Sequence, residues 1–69
     1  MLFHVPDFDF ARDHARIAQA LRQRDPAAHV AAGSAPGNLR VVARLDARRM
    51  LAAIAEAGFA AVPEWQLVA

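Results

Sequence analysis

The side chains best suited to chemistry lie in one short segment near the start of the chain. Asp7, Asp9, Asp13 and His14 fall within eight residues. Carboxylate oxygens combined with an imidazole nitrogen suit Zn(II), Ni(II) or Mn(II) rather than the soft ion Cu(I). The segment therefore predicts a divalent metal site at Asp9, Asp13 and His14, with Asp7 and His4 as further ligands.

The same residues also fit ordinary structural roles. Asp9 can cap a helix, Asp13 would lie in the first helical turn, where a negative charge suits the helix dipole, and Asp7 is a turn former. His14 shares a helical stripe with Phe10, which indicates packing against a core. The residues alone leave both interpretations open.

A strand and a helix must position this segment. Residues 2–5 are apolar and partly β-branched, and Pro6 ends them, which predicts a first strand. Apolar positions then follow helical spacing over residues 10–24, with Asp9 as the cap. The pair Asp25-Pro26 ends the helix, because a residue before proline avoids the helical conformation.

The rest of the chain predicts two more strands, a second helix and a fourth strand. Asp46 caps the second helix and Gly58 follows its end, and Pro63 requires the fourth strand to lie at a sheet edge. The order βαββαβ predicts a ferredoxin-like sandwich, with a four-stranded antiparallel sheet and both helices on one face. Phe3, Val5, Val30, Ala32, Leu39 and Val41 would face inward. The predicted ranges are 29–32 and 39–44 for the two middle strands, 47–57 for the second helix and 59–62 for the fourth strand. The tail, 64–69, is a candidate extension of that strand, and Trp65 would either cover the sheet edge or the open end of the core or serve as an interaction anchor.

Size and composition limit the classes of function. The 69 residues make one domain, and the absence of cysteine excludes disulfides and thiolate zinc sites. A net charge of +1 gives no electrostatic footprint for nucleic acid, and no apolar run approaches the ~20 residues that span a bilayer. The first residues lack the features of a secretion signal. We expect a cytoplasmic protein without membrane insertion and, since Ser34 has no base at hand, no enzyme.

Short patterns along the chain together resemble a known family. The most specific is Glu56-Ala57-Gly58-Phe59, and from Phe3 to Ala61 the chain resembles the heavy-metal-associated domain. That family contains soluble copper chaperones and the N-terminal modules of copper-exporting ATPases. The resemblance implies the same fold, a non-catalytic role in metal handling, and a related metal-transport domain as partner. The other matching patterns are Phe3-x-Val5, Asp7-Phe8, Ile17-x-x-Ala20-Leu21, Asp25-Pro26-Ala27-Ala28-x-Val30, Leu39-x-Val41 and Leu45-Asp46.

The resemblance also places the family's metal loop at the start of the first helix. Matched by spacing, the Met of its Met-x-Cys-x-x-Cys segment falls on Phe8, and the cysteines fall on Phe10 and Asp13. Two thiolates give Cu(I) its high affinity, whereas phenylalanine offers no ligand and aspartate a hard oxygen. The resemblance therefore implies the scaffold without the thiolate site, and any cofactor would be a weakly held divalent transition metal.

The phenylalanines support a second hypothesis. The resemblance places Phe59 beside the same loop, where it would form an apolar cluster with Phe8 and Phe10. Arg12, Arg16 and carboxylates would rim this cluster. This predicts a metal-free interaction module that docks a partner protein through Phe8, Phe10, Arg12 and Phe59. The two loop phenylalanines could instead refill the space of the missing Met and Cys, which would not exclude docking.

Overall fold

The computed structural model describes residues 1–35 and 37–63, and within them the predicted order βαββαβ is confirmed. The predicted tail, including Trp65, lies outside the described residues. No helix in the described part of the chain is long and apolar enough to cross a membrane. The elements are β1 (Leu2–His4), α1 (Phe10–Arg22), β2 (His29–Ala32), β3 (Asn38–Val42), α2 (Ala47–Glu56) and β4 (Val62–Pro63).

The four strands form one antiparallel sheet in the order β2-β3-β1-β4. Phe3 pairs with Leu39 on one side and with Pro63 on the other. Pro63 therefore lies in an edge strand, as its missing N–H requires. Because β3 lies between β1 and β2, His4 and His29 are on strands that do not pair.

The core fills the space between one face of the sheet and the two helices. The sheet contributes Phe3, Leu39 and Val41, and Val5 follows directly after β1; all four were predicted to face inward and are fully buried. Val30 is half-buried against them, but Ala32 is exposed, which corrects its predicted inward position. Ala32 is the last residue of β2 and leads directly into the turn. The helices contribute Ile17, Ala18, Leu21, Met50, Ala53 and Ile54.

Both helices begin at the predicted caps. The Asp9 carboxylate accepts a hydrogen bond from the Ala11 N–H (3.1 Å), and Asp46 accepts one from the Arg49 N–H (2.8 Å). Each cap satisfies an amide that the helix leaves without an internal partner. After α2, Gly58 has φ 96°, the left-handed conformation that glycine adopts without steric cost.

The fourth strand begins later than predicted, at Val62 rather than at Phe59. The Phe59 N–H donates to the Ile54 carbonyl (3.2 Å) and so completes the end of α2. This bond keeps Phe59 out of the sheet ladder and places it near the start of α1.

Candidate functional site

A tight turn connects β1 to α1. The Phe8 N–H donates to the Val5 carbonyl (3.2 Å), and Pro6 and Asp7 are the central residues of the turn. Asp7 has φ 61°, the left-handed conformation found at the third position of type II turns. Glycine is the usual residue there, and aspartate is one of the few others that tolerate it.

Asp13 is buried in the first turn of α1, with 4% of its surface exposed. Its carboxylate accepts hydrogen bonds from Nε (3.0 Å) and Nη2 (2.9 Å) of Arg12 and from the Asp9 N–H (3.1 Å). The Arg12 hydrogen bonds, followed by the Asp9 amide, hold the pKa of Asp13 below its ordinary value. Arg12 also donates to the Asp7 carbonyl (3.2 Å), so this one guanidinium joins the turn to the helix.

His14 is half-buried and is held by Phe10. Its Nδ1 lies 2.8 Å from the Phe10 carbonyl oxygen, and the two rings stack with centroids 4.7 Å apart and planes 14° apart. Because a carbonyl only accepts, Nδ1 carries the proton in this contact, and Nε2 is the nitrogen left for a ligand. The predicted packing role of His14 agrees with this placement.

The predicted metal ligands Asp9, Asp13 and His14 are neighbours along α1 but do not form a coordination group. Within residues 1–35 and 37–63, no three His, Cys, Asp or Glu side chains are arranged to hold a metal ion. The Asp13 oxygens bond Arg12, and one Asp9 oxygen caps the helix. Local hydrogen bonds thus occupy both oxygens of Asp13 and one oxygen of Asp9.

Three phenylalanines meet at this end of the molecule, and we call Phe8, Phe10 and Phe59 the aromatic end. Phe8 is 8% exposed and meets the other two rings edge-on, with centroids 6.2 Å from Phe10 and 5.9 Å from Phe59. Phe10 and Phe59 are half-buried. The Arg16 guanidinium lies 5.5 Å from the centre of the Phe59 ring. Phe8 therefore fills the core, while Phe10 and Phe59 present partly accessible surface.

A cleft of about 500 Å³ separates the start of α1 from the turn between β2 and β3. Phe8, Asp9 and Phe10 line one side, and Gly33 and Asn38 lie on the other. A Cβ at Gly33 would lie 2.6 Å from the Cβ of Asn38, so glycine is needed for the close approach. No local signal in the sequence indicates that the residues of this turn face Asp9 across a cleft.

Comparisons with known proteins rest on structure, since no family model and no curated protein matches the chain. The copper chaperone Atx1 from Synechocystis PCC6803 superposes with a TM-score of 0.79 over 90% of this chain and 98% of its own, at 19% identity. Another Atx1 structure, described as side-to-side and anaerobic, has a TM-score of 0.80 with the same identity and coverage.

The fold is that of the Atx1-like copper chaperones. A gold binding protein is also similar, with a TM-score of 0.74 and 26% identity over 88% of this chain and 94% of its own. The copper-chaperone-like fold expected from the sequence resemblance is confirmed.

Proposed function

We propose that this protein is a non-catalytic, cytoplasmic domain of metal trafficking that works by docking a partner protein through its aromatic end, without a thiolate-held metal. The observation that carries the proposal is the state of Asp13. It occupies the place that spacing assigns to the family's second cysteine, and Arg12 and the Asp9 amide already bind its carboxylate.

The chemistry of the loop argues against a copper cargo. Cu(I) prefers soft sulfur ligands, and the chain contains no cysteine. Phe10 stands in the place of the first cysteine and stacks on His14. A metal that recruited Asp13 would have to displace a two-point ion pair with Arg12.

The similarity to copper chaperones and to a gold binding protein supports a place in metal trafficking. The partly accessible rings of Phe10 and Phe59 support contact with a protein, because aromatic side chains contribute strongly to interfaces. The proposed partner is a related metal-transport domain. A net charge of +1 argues against a nucleic-acid partner, because binding to phosphates requires an excess of basic side chains.

A second candidate function is weak binding of a divalent transition metal at Asp9, Asp13 and His14. The observation in its favour is that His14 keeps Nε2 free while Nδ1 bonds the Phe10 carbonyl. Asp9 is exposed and could supply an oxygen, since only its Oδ1 is engaged in capping α1. This candidate requires Asp13 to leave Arg12.

Two-dimensional NMR of the isotope-labelled protein tests both candidates. In the first arm, Zn(II), Ni(II), Cu(II) and Cu(I) are added at micromolar concentration. We expect no saturable shift of the amides of residues 9–14. Saturable shifts confined to that segment would overturn the metal-free proposal and establish the second candidate.

In the second arm, the labelled protein is mixed with the soluble domain of a metal-exporting ATPase from the same organism. We expect shifts at Phe8, Phe10 and Phe59, and loss of binding in Phe10→Ala. Val42→Ala is the matched control, because Val42 is 60% exposed on β3 and lies outside the aromatic end. Absence of binding, or equal loss in both variants, would contradict docking through this end.

A further inference from the structure

The cleft beside Phe10 combines an aromatic wall with an unpaired negative charge. We propose that it receives an arginine side chain of the partner protein, so that the face of the partner that docks here is basic. The inference rests on the proposed docking function and adds the chemistry of the partner.

The walls of the cleft suit a flat cation. Phe8 and Phe10 line it, and His14 stacks on one face of the half-buried Phe10 ring, so a guanidinium would be attracted to the part of that ring that His14 leaves uncovered. Arginine stacks on aromatic rings and bonds carboxylates with a planar fork, a combination that lysine lacks. An aromatic ring beside a carboxylate therefore favours arginine among the cationic side chains.

The charge of the cleft is negative. Asp9 is exposed, and it is the one charged side chain among the described residues that line the cleft. Its Oδ1 caps α1 through the Ala11 N–H, which leaves Oδ2 for a ligand. Asp7 is exposed two residues earlier and adds a second negative charge to the same loop.

The nearby arginines offset this charge only in part. Arg12 is bound by Asp13 at 2.9 Å, and Arg16 lies over the Phe59 ring. Neither Arg12, Arg16 nor Phe59 lines the cleft. Three carboxylates and one guanidinium between residues 7 and 13 leave the loop with two excess negative charges. This excess would attract a basic face and steer its approach.

The far wall of the cleft is fixed before any ligand arrives. The Asn38 side chain accepts a hydrogen bond from Nδ1 of His4 (2.9 Å), and the Gly33 N–H donates to the Asn38 carbonyl (2.9 Å). The contact between Gly33 and Asn38 leaves no room for a side chain at Gly33. A preformed wall reduces the ordering cost of binding.

A pair of peptides tests the charge requirement. The isotope-labelled full chain is titrated with Ac-Gly-Arg-Gly-NH2 and, separately, with the citrulline peptide, which has the same shape and no charge. We expect saturable shifts of the Phe10, Gly33 and Asn38 amides with the arginine peptide, and binding at least about fivefold weaker with citrulline. Equal shifts with both peptides, or none with either, would overturn the inference.

Matched variants test the residue that supplies the charge. Asp9→Asn keeps a helix cap of similar quality but removes the charge, and Asp46→Asn makes the same change at the start of α2. We expect Asp9→Asn to weaken arginine-peptide binding about fivefold while Asp46→Asn leaves it unchanged. Thermal melts show whether both variants fold. Undiminished binding by folded Asp9→Asn would reject the assignment.

The outcomes separate this inference from the proposed function. If the ATPase domain docks at the aromatic end while the arginine peptide does not bind, the arginine inference fails and docking stands. If the peptide binds at the cleft while the ATPase domain does not bind, the arginine pocket stands and the proposed partner class fails.

Discussion

Two buried carboxylates lie at the two ends of α1, and they are held in different ways. Asp13, at the start, is bound mainly by the side chain of Arg12, its neighbour in sequence. Asp25, just beyond the end, accepts from the backbone amides of Ala27 (3.1 Å) and Arg44 (2.7 Å), the second being 19 residues away. Asp25 thus links the connection between α1 and β2 to the connection between β3 and α2, whereas Asp13 holds only the loop before α1.

The two carboxylates also differ in how freely their partners can move. Around Asp25 the partners are amides fixed by the backbone, and the arrangement has little freedom to change. Around Asp13 the main partner is a long side chain, 65% exposed, that can swing into water. The end of the molecule with the more adaptable carboxylate is also the end with the accessible rings of Phe10 and Phe59.

The largest effect is expected from Asp25→Ala. The change leaves two partly buried amides without their acceptor, and a donor that loses its partner in this way destabilises the native state. We expect a fall in Tm of roughly 5–15 °C, measured by circular dichroism. Asp25→Asn is the control. It keeps one acceptor oxygen, so its Tm should fall less. A change of less than about 2 °C in Asp25→Ala would contradict the bridging role.

Asp13→Ala is expected to destabilise the protein less. Arg12 can return to water, so the main loss is the acceptor for the Asp9 N–H. We expect a fall in Tm of roughly 3–6 °C, with wider amide shifts in residues 7–14 than Asp25→Ala causes there. A fall larger than that of Asp25→Ala would reverse the comparison.

Acid should reduce the stability of the fold through both Asp13 and Asp25. The Arg12 hydrogen bonds lower the pKa of Asp13, and the Arg44 amide, followed by that of Ala27, lowers the pKa of Asp25. Each native pKa therefore lies below that of the unfolded chain, about 3.9. The stabilisation is complete above that value and is lost as the pH falls through the native pKa values.

Melting curves between pH 6 and about pH 2 measure this loss. We expect Tm to fall below about pH 4, and the fall to be shallower in the double variant Asp13→Asn, Asp25→Asn. The variant has no carboxyl to protonate at either position. Parallel curves for wild type and double variant would show that other groups cause the acid loss.

The smallest effect is expected from the exposed ion pair between Arg24 and Glu56. Its two hydrogen bonds measure 2.7 and 2.8 Å, but the Glu56 side chain is 56% exposed. Solvent and salt screen such pairs. We expect Arg24→Gln to lower Tm by about 2 °C or less, and the difference to shrink in high salt. A fall in Tm equal to that of Asp13→Ala would show that the exposure of this ion pair does not limit its contribution to stability.

Much of the fold was predictable because its signals are local. The caps Asp9 and Asp46, the left-handed Gly58 and the alternation of Leu39 and Val41 each depend on a few adjacent residues. Pro63 correctly required an edge strand. The start of β4 was wrong because the backbone bond of Phe59 to Ile54 extends the end of α2, which apolar composition does not reveal.

The candidate site was less predictable because it depends on contacts across the structure. Asp13 carries the dipole-favouring charge that the sequence predicts, but the sequence does not reveal its burial or its hydrogen bonds with Arg12. The cleft lies between Asp9, at the start of α1, and Asn38, at the start of β3, and these residues are far apart in the sequence. Sequence spacing places Phe8 and Phe10 near each other, and only the structure distinguishes the buried Phe8 from the half-buried Phe10.

The left-handed backbone at Asp7 has a consequence for how this loop tolerates mutation. In a saturation library selected for folding, glycine and asparagine should persist at this position and β-branched residues should disappear. Glycine and asparagine both lack the charge. Asparagine differs from aspartate mainly in charge. A second selection, for binding of the partner, would therefore show whether position 7 contributes its charge to recognition or only shapes the turn.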